Sequence, residues 1–333
     1  DLDIVKSSLD EINIYVEEVA TIAEESFSIL SKEKEVFSES ITVLEKYWRE
    51  TSHAIQSIRD NKKIADSELN LLDNKNYHGL NSNVSFDENQ IKNLSIKGTK
   101  PKVAILREQG VNGQNEMAAA FTIAGFEAFD VHMQDLLDGN IDLKQFQGMA
   151  VCGGFSYGDV LGAGGGWSKT ILYNNNVKDQ FQQFFENKAT FTLGVCNGCQ
   201  MLSNLKDIIP EADYWPSFER NFSDQFEARL VQVKVENTNS VLLRNMNGWT
   251  VPVASAHGEG RANFEMNNLE ELKKQNQIAM KFVDSSAEYT EVYPLNPNGS
   301  PEGITGITAA SGRITIMMPH PERVFRKYQM SWH

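Results

Sequence analysis

From Lys102 onward the chain alternates short, β-branched apolar runs with stretches of helical period, and no other feature narrows the fold as much. Residues 103–106 read as a strand and 116–124 as a helix. Residues 128–131 and 149–152 read as strands, and 177–187 as a helix leading into the run 190–195. Strands alternating with helices predict an α/β fold built on a parallel sheet covered on both faces. Residues 226–235, 251–256, 278–283, 304–308 and 313–318 add further strands. In such sheets the site lies beyond the carboxyl ends of the strands. Three loops end there: 107–113, 153–166 and the turn at Cys196.

That turn lies in Thr-Phe-Thr-Leu-Gly-Val-Cys-Asn-Gly-Cys-Gln-Met (190–201), which passes from strand to helix at Cys196. Gly194 and Gly198 let the backbone approach closely on either side. A thiol at this joint faces the amino end of the next helix, where free N–H groups and the helix dipole favour thiolate. Cys196 is therefore the candidate nucleophile, and the Asn197 N–H a candidate oxyanion donor. Cys196 and Cys199 also spell Cys-x-x-Cys after a strand, a redox arrangement that ranks second. Structural zinc ranks lower, because no second cysteine pair exists, and Cys152, ending an apolar run, reads as a core residue.

The glycine-rich loop Gly153-Gly-Phe-Ser-Tyr-Gly-Asp159 continues through Gly162 to Gly166 and precedes a helix at Ser168. It lacks G-x-G-x-x-G, and Ser168-Lys169-Thr170 lacks the glycine before lysine of a Walker loop, so nucleotide binding is not expected. The expected use is an N–H from Gly154 or Phe155 that completes an oxyanion hole with Asn197. The bland alternative is a flexible surface loop.

A thiolate needs an acid–base histidine held by a third group. Strand 313–318 runs into Pro319-His320-Pro321-Glu322-Arg323, where residues two apart point the same way and Glu322 can hold His320. His257-Gly258-Glu259 follows another strand with the same spacing. The prolines favour His320, the glycines at 258 and 260 leave His257 poorly fixed, and at most one pair can be the catalytic couple. His132 has no carboxylate at that spacing and reads as structural; His53 and His78 read as surface residues.

Composition bounds the partners. At 333 residues and 41% hydrophobic content there is room for two domains or one large one. A net charge of −14 argues against nucleic acid and anionic membrane surfaces as main partners. Three cysteines, no run of eighteen apolar residues and no signal peptide together lead us to expect a cytoplasmic protein. Residues 1–60 are acidic, with helical period through Leu9, Ile12, Val16, Val19 and Ile22 and again through Ile41, Leu44, Trp48, Ile55 and Ile58. The runs 27–30 and 35–37 fit strands as well. Residues 61–100, rich in Asn, Asp, Ser and Lys, read as a linker or an extended wrap. A start at Asp1 and an abrupt end at Trp332 and His333 read as those of a fragment.

Five segments together resemble the class I, triad-type glutamine amidotransferases, and among them the glutaminase domains of long single-chain phosphoribosylformylglycinamidine synthases. They are Arg107-Glu-Gln-Gly-Val-Asn112, Gly153-Gly-Phe-Ser-Tyr-Gly-Asp-Val-Leu-Gly162, Gly194-Val-Cys-Asn-Gly-Cys-Gln200, Ser255-Ala-His-Gly-Glu-Gly260 and Met317-Met-Pro-His-Pro-Glu-Arg323. Upstream, Trp48-Arg-Glu-Thr-Ser52 and Arg59-Asp-Asn61 resemble the end of the synthase domain of the same enzymes. The resemblance implies a flavodoxin-like open, mostly parallel sheet over 101–333, preceded by an α/β tail of a synthase domain at 1–60 and a linker at 61–100. It implies a triad of Cys196, His320 and Glu322, with Gln200, His257 and Glu259 close to bound L-glutamine, and no metal or cofactor in this chain. ATP and Mg are expected in the synthase domain, the expected protein partner. Gly165 is a departure, since these domains more often carry Glu there.

Overall fold

The structure, a computed structural model, describes residues 2–17, 19–22, 25–85 and 98–330. Its first segment comprises α1 (Leu2–Asp10), the hairpin strands β1 (Ser26–Ser31) and β2 (Lys34–Ser40), α2 (Ile41–Arg59) and α3 (Lys62–Asn70). The helical period expected through Ile22 stops early: α1 ends at Asp10, and Asn13 takes a φ of +55° that no α-helix accommodates. The runs 27–30 and 35–37 are the hairpin strands, with the Phe27 and Phe37 rings 6.4 Å apart. The turn between them puts Lys32 and Glu33 at φ +49° and +64°. Tight hairpins need that conformation, but Asn and Gly usually supply it, so this turn carries no sequence signal. α2 follows the second period, yet none of its residues is buried.

Of the polar stretch 61–100, read as a linker or an extended wrap, residues 86–97 lie outside the described residues; the part that follows α2 begins with a docked helix. Asn61 caps α3 by accepting from Lys63 N at 3.1 Å, and Ile64 and Ala65 are buried because the helix docks on the body of the protein. Asn61 Nδ2 donates to Phe222 O (3.1 Å) and Ser67 Oγ to Tyr293 O (2.7 Å). Farther on, Asn81 exchanges bonds with the Gln232 side chain, and Asn83 pairs with Thr250 through two backbone bonds of 2.9 and 3.0 Å. Residues 61–83 thus strap the antiparallel part of the sheet. His53, expected at the surface, is half-buried between α2 and α3, with Nε2 2.9 Å from Asp66 Oδ1; His78 is exposed, as expected.

The remaining elements, in order, begin with β3 (Lys102–Arg107), α4 (Gln114–Ile123), β4 (Glu127–His132), α5 (Met133–Leu137), β5 (Gly148–Val151), α6 (Gly165–Leu172) and α7 (Asn175–Glu186). Next come β6 (Phe191–Val195), α8 (Asn197–Ser203), β7 (Ser217–Glu219), β8 (Glu227–Val235), β9 (Thr250–His257) and β10 (Arg261–Asn263). The last are α9 (Asn268–Lys274), β11 (Ile278–Phe282), β12 (Ile304–Ala309) and β13 (Ile314–Met317). A nine-stranded sheet runs β4-β3-β5-β6-β13-β12-β11-β8-β9. Its first five strands are parallel to their neighbours. Counted from β3 they stand in the order 2-1-3-4-5, the flavodoxin-like arrangement. β5 and β13 are buried throughout, as strands covered on both faces should be. The strands from β12 to β9 are antiparallel, a direction that apolar runs alone do not reveal.

One contact of that second half positions the site. β9 is the edge strand, remote from β13 in the sheet order, yet Ala254 bridges His320, whose N–H donates to Ala254 O at 2.8 Å. The antiparallel half therefore curls back over the carboxyl ends of the parallel strands. It carries the end of β9 to the loops that follow β5, β6 and β13.

Candidate active site

Cys196 occupies the strand-to-helix joint with φ +53° and ψ −110°, a strained backbone for a residue with a Cβ, costing on the order of 1–3 kcal/mol. The surrounding glycines make room rather than relieve that strain. A Cβ on Gly198 would lie 2.1 Å from Val151 O, and one on Gly194 would lie 2.5 Å from Leu202 Cδ1. Cys196 N donates to Met317 O at 2.9 Å, which ties the joint to β13 and hence to the histidine that follows it.

His320 and Glu322 are both buried, with His320 Nδ1 2.6 Å from Glu322 Oε1. That bond places the proton on Nδ1 and leaves Nε2 bare in the neutral ring, on the side that faces Cys196. Gly153 must lack a side chain here, since a Cβ would sit 2.6 Å from His320 Cε1 and 3.3 Å from Cys196 Cβ. Burial pushes the Cys196 thiol up, but the adjoining His320, and His257 with it, bring it down to about 6. Burial likewise lowers His320, and the facing Cys196 and the Glu322 carboxylate raise it to about 9. Between those values the pair exists as thiolate and imidazolium.

The competing pair is built differently. His257, at the end of β9, is buried, and its Nε2 lies 2.6 Å from Asn298 Oδ1. Glu259 does not hold it: the backbone turns after β9, and Glu259 Oε2 instead accepts from Ala163 N at 3.1 Å. Only one of the two His–Glu pairs is therefore a couple, although both imidazoles reach the neighbourhood of Cys196, whose Sγ lies 3.7 Å from Ala256 O. Sequence spacing missed Asn298 because it sits 41 residues away in an Asn-Pro-Asn-Gly stretch that reads only as a turn.

The glycine loop is anchored at its start and exposed over residues 160–162. Asn197 holds it: Oδ1 accepts from Ser156 Oγ (2.6 Å) and Ser156 N (3.2 Å), and Nδ2 donates to Asp159 Oδ1 at 3.2 Å. Ser168 is buried in α6 with its hydroxyl on Gly165 O. Phe155 departs from expectation, because its N–H is already donated to Gly110 O at 2.8 Å and cannot also serve an oxyanion. The Gly154 N–H meets no acceptor among the described residues, and the Asn197 N–H precedes any carbonyl of α8 that could take it. Gln200 also departs from expectation. Its Nε2 donates to Glu259 O and its Oε1 accepts from Asn197 Nδ2 (3.3 Å), so it braces the turn at Glu259 rather than offering a free amide to a ligand. Burial, and next the Glu259 carboxylate, raise Asp159 to about 6, leaving two half-buried carboxylates coupled to each other near Cys196.

The remaining thiols and His132 are structural. Burial pushes Cys199 and Cys152 well up, and a wholly buried Cys199 within α8 is poorly placed to resolve a mixed disulfide. His132 caps α5 by accepting from Gln134 N through Nδ1 (3.0 Å), and Glu108 Oε1 stands 3.5 Å from its other nitrogen.

A cysteine on a strained elbow at the carboxyl edge of a doubly wound sheet, faced by a buried histidine–carboxylate pair, is an arrangement fit for acyl transfer through a thioester. Residues 100–333 match the model of the CobB/CobQ-like glutamine amidotransferase domain, and the chain belongs to that family. Among solved structures, PurLQS from Thermotoga maritima aligns with a TM-score of 0.53 at 24% identity, over 69% of this chain and 92% of that one. A glutamine amidotransferase from Thermotoga maritima aligns with a TM-score of 0.40 at 16% identity, over 68% and 77% of the two chains. At these identities the first likeness bears on the fold alone. The family makes this an amidotransferase domain with glutamine as its expected nitrogen donor. No helix among the described residues is long and apolar enough to cross a membrane.

Proposed function

We propose that the chain is the glutaminase part of a phosphoribosylformylglycinamidine synthase. The Cys196 thiolate attacks the side-chain carboxamide carbon of L-glutamine, and the carbonyl electron pair moves to oxygen, which the Gly154 and Asn197 N–H groups stabilise. As the tetrahedral species collapses, the C–N bond breaks and His320 protonates the departing nitrogen, releasing ammonia. His320 then takes a proton from water, which attacks the thioester and releases glutamate. Glu322 keeps the His320 ring in the orientation and tautomer this requires. Asp159 and Glu259 supply negative charge for the substrate's α-ammonium group.

The observation that carries the reading is the juxtaposition of strained Cys196 with the buried His320–Glu322 pair, whose nitrogen and oxygen are 2.6 Å apart. The finer assignment is supported by the motifs at 48–52 and 59–61, and by the apolar surface of the segment that carries them. Trp48 is 85% exposed and Ile58 89%, while Tyr47 and Ile55 are exposed too, on a helix with no buried residue. Such a face calls for a covering partner. In this reading that partner is a synthase domain, which binds ATP and Mg, activates formylglycinamide ribonucleotide and receives the ammonia. For Cys196→Ala in the complete enzyme we expect glutamine-dependent synthesis to vanish while added ammonium still supports it. Loss of both activities would contradict this division of labour.

A further inference from the structure

Beside the triad stands a second buried imidazole, His257, which helps to lower the Cys196 thiol. His257 Nε2 faces Asn298 Oδ1 at 2.6 Å, and the Asn298 amide nitrogen is itself spent on Gly260 O at 2.9 Å. Asn298 therefore presents oxygen, not nitrogen, so Nε2 carries the proton and Nδ1 is the bare nitrogen of the neutral ring. Nδ1 is buried, lies on the Cys196 side of the ring and meets no nitrogen or oxygen donor among the described residues. A buried acceptor left unpaired is costly. Its place is also constrained. Gly260 closes off the Nε2 edge, since a Cβ there would lie 2.4 Å from Nε2. Ala256, the residue before His257, has its carbonyl 3.7 Å from Cys196 Sγ. The free edge of the ring thus belongs to the space where a group attacked by Cys196 must sit.

We propose that His257 Nδ1 accepts an N–H from the carboxamide nitrogen of the substrate, and so selects primary amides over esters and carboxylates at Cys196. The inference rests on the reading of Cys196 as an amidase nucleophile. A primary amide brings two N–H donors, and the developing oxyanion takes the amino-terminal end of α8. One N–H then pairs with Nδ1 while the nitrogen lone pair receives its proton from His320. During the step the Sγ–C bond forms, the C–N bond breaks with its electrons going to nitrogen, and ammonia departs. His257 keeps its hydrogen bond throughout and exchanges no proton. An ester or a carboxylate would set an oxygen lone pair against the bare nitrogen, which is how a site built for N–H rejects its isosteres.

The test compares hydrolysis of glutamine and of the γ-methyl ester of glutamate by the complete protein, with iodoacetamide alkylation of Cys196 as a separate readout of the nucleophile. For His257→Ala we expect kcat/KM for glutamine to fall about tenfold or more beyond any fall for the ester. His257→Gln, which retains an acceptor oxygen, is expected to keep part of the amide preference and guards against misfolding of the alanine variant. Equal losses on amide and ester in both variants, with slowed alkylation, would assign His257 to Cys196 itself and overturn the proposal. No change in the amide-to-ester ratio would overturn it as well. A wild-type protein that alkylates at Cys196 but hydrolyses neither substrate would overturn the amidase reading, and this inference with it.

Discussion

Cys196 and His320 are each displaced by the other, and both displacements bear on activity. Burial opposes charge on either group alone; facing one another, with Glu322 behind the imidazole, they favour the charged pair. Below about 6 the thiolate is protonated and the nucleophile is lost; above about 9 the imidazolium loses the proton it must deliver. Glutamine hydrolysis measured as kcat/KM should therefore rise with pH through about 6, hold, and fall through about 9. Glu322→Gln removes the carboxylate that raises His320, so the alkaline limb should move to lower pH and kcat/KM should drop by roughly 10²–10⁴. A profile flat across this range would contradict the ion pair. At this scale the spacing of His320 and Glu322 was legible, but not its geometry: Pro321–Arg323 form a 3-10 turn rather than an extended run, and the same spacing at His257 and Glu259 left the choice of couple to the prolines and the family resemblance. Asn298 was not legible, because a residue that fixes a tautomer from a distant loop leaves no local pattern.

The elbow works because two elements touch without side chains between them. α8 lies against the end of β5 so closely that Gly198→Ala would drive a Cβ to 2.1 Å from Val151 O, a backbone atom that cannot move aside. That substitution should lower Tm by several degrees and disable Cys196, in line with the roughly 1–3 kcal/mol of overpacking in a tight core. Gly165→Ala is the contrast. The residue begins α6 with room for a Cβ, which would meet only Leu161 Cβ at 3.6 Å. It should be neutral or gain about 0.5–1 kcal/mol by restricting the unfolded chain, read as an unchanged or higher Tm. The elements of the parallel block were legible because each strand is a short apolar run bounded by a turn. The β1–β2 hairpin was only half legible, since Lys32 and Glu33 are not turn-formers, and α3 not at all, since its few apolar residues gain burial only by docking.

Across the whole molecule the site is a meeting of two halves. The parallel strands supply Cys196 and His320, whereas the antiparallel strands curl back to supply His257 and, one turn on, Glu259. Residues 61–83 are tied to that second half at Phe222, Gln232, Thr250 and Tyr293. Apolar periodicity reports which segments are strands, but not that an edge strand folds over the opposite end of the sheet. The most direct test of Cys196 as a glutamine-directed nucleophile is labelling of the complete protein with a diazoketone analogue of glutamine, followed by peptide mass spectrometry. We expect one adduct, on Cys196, suppressed by added L-glutamine and absent after Cys196→Ala. An adduct on another residue, or labelling of Cys196 that glutamine does not suppress, would contradict it.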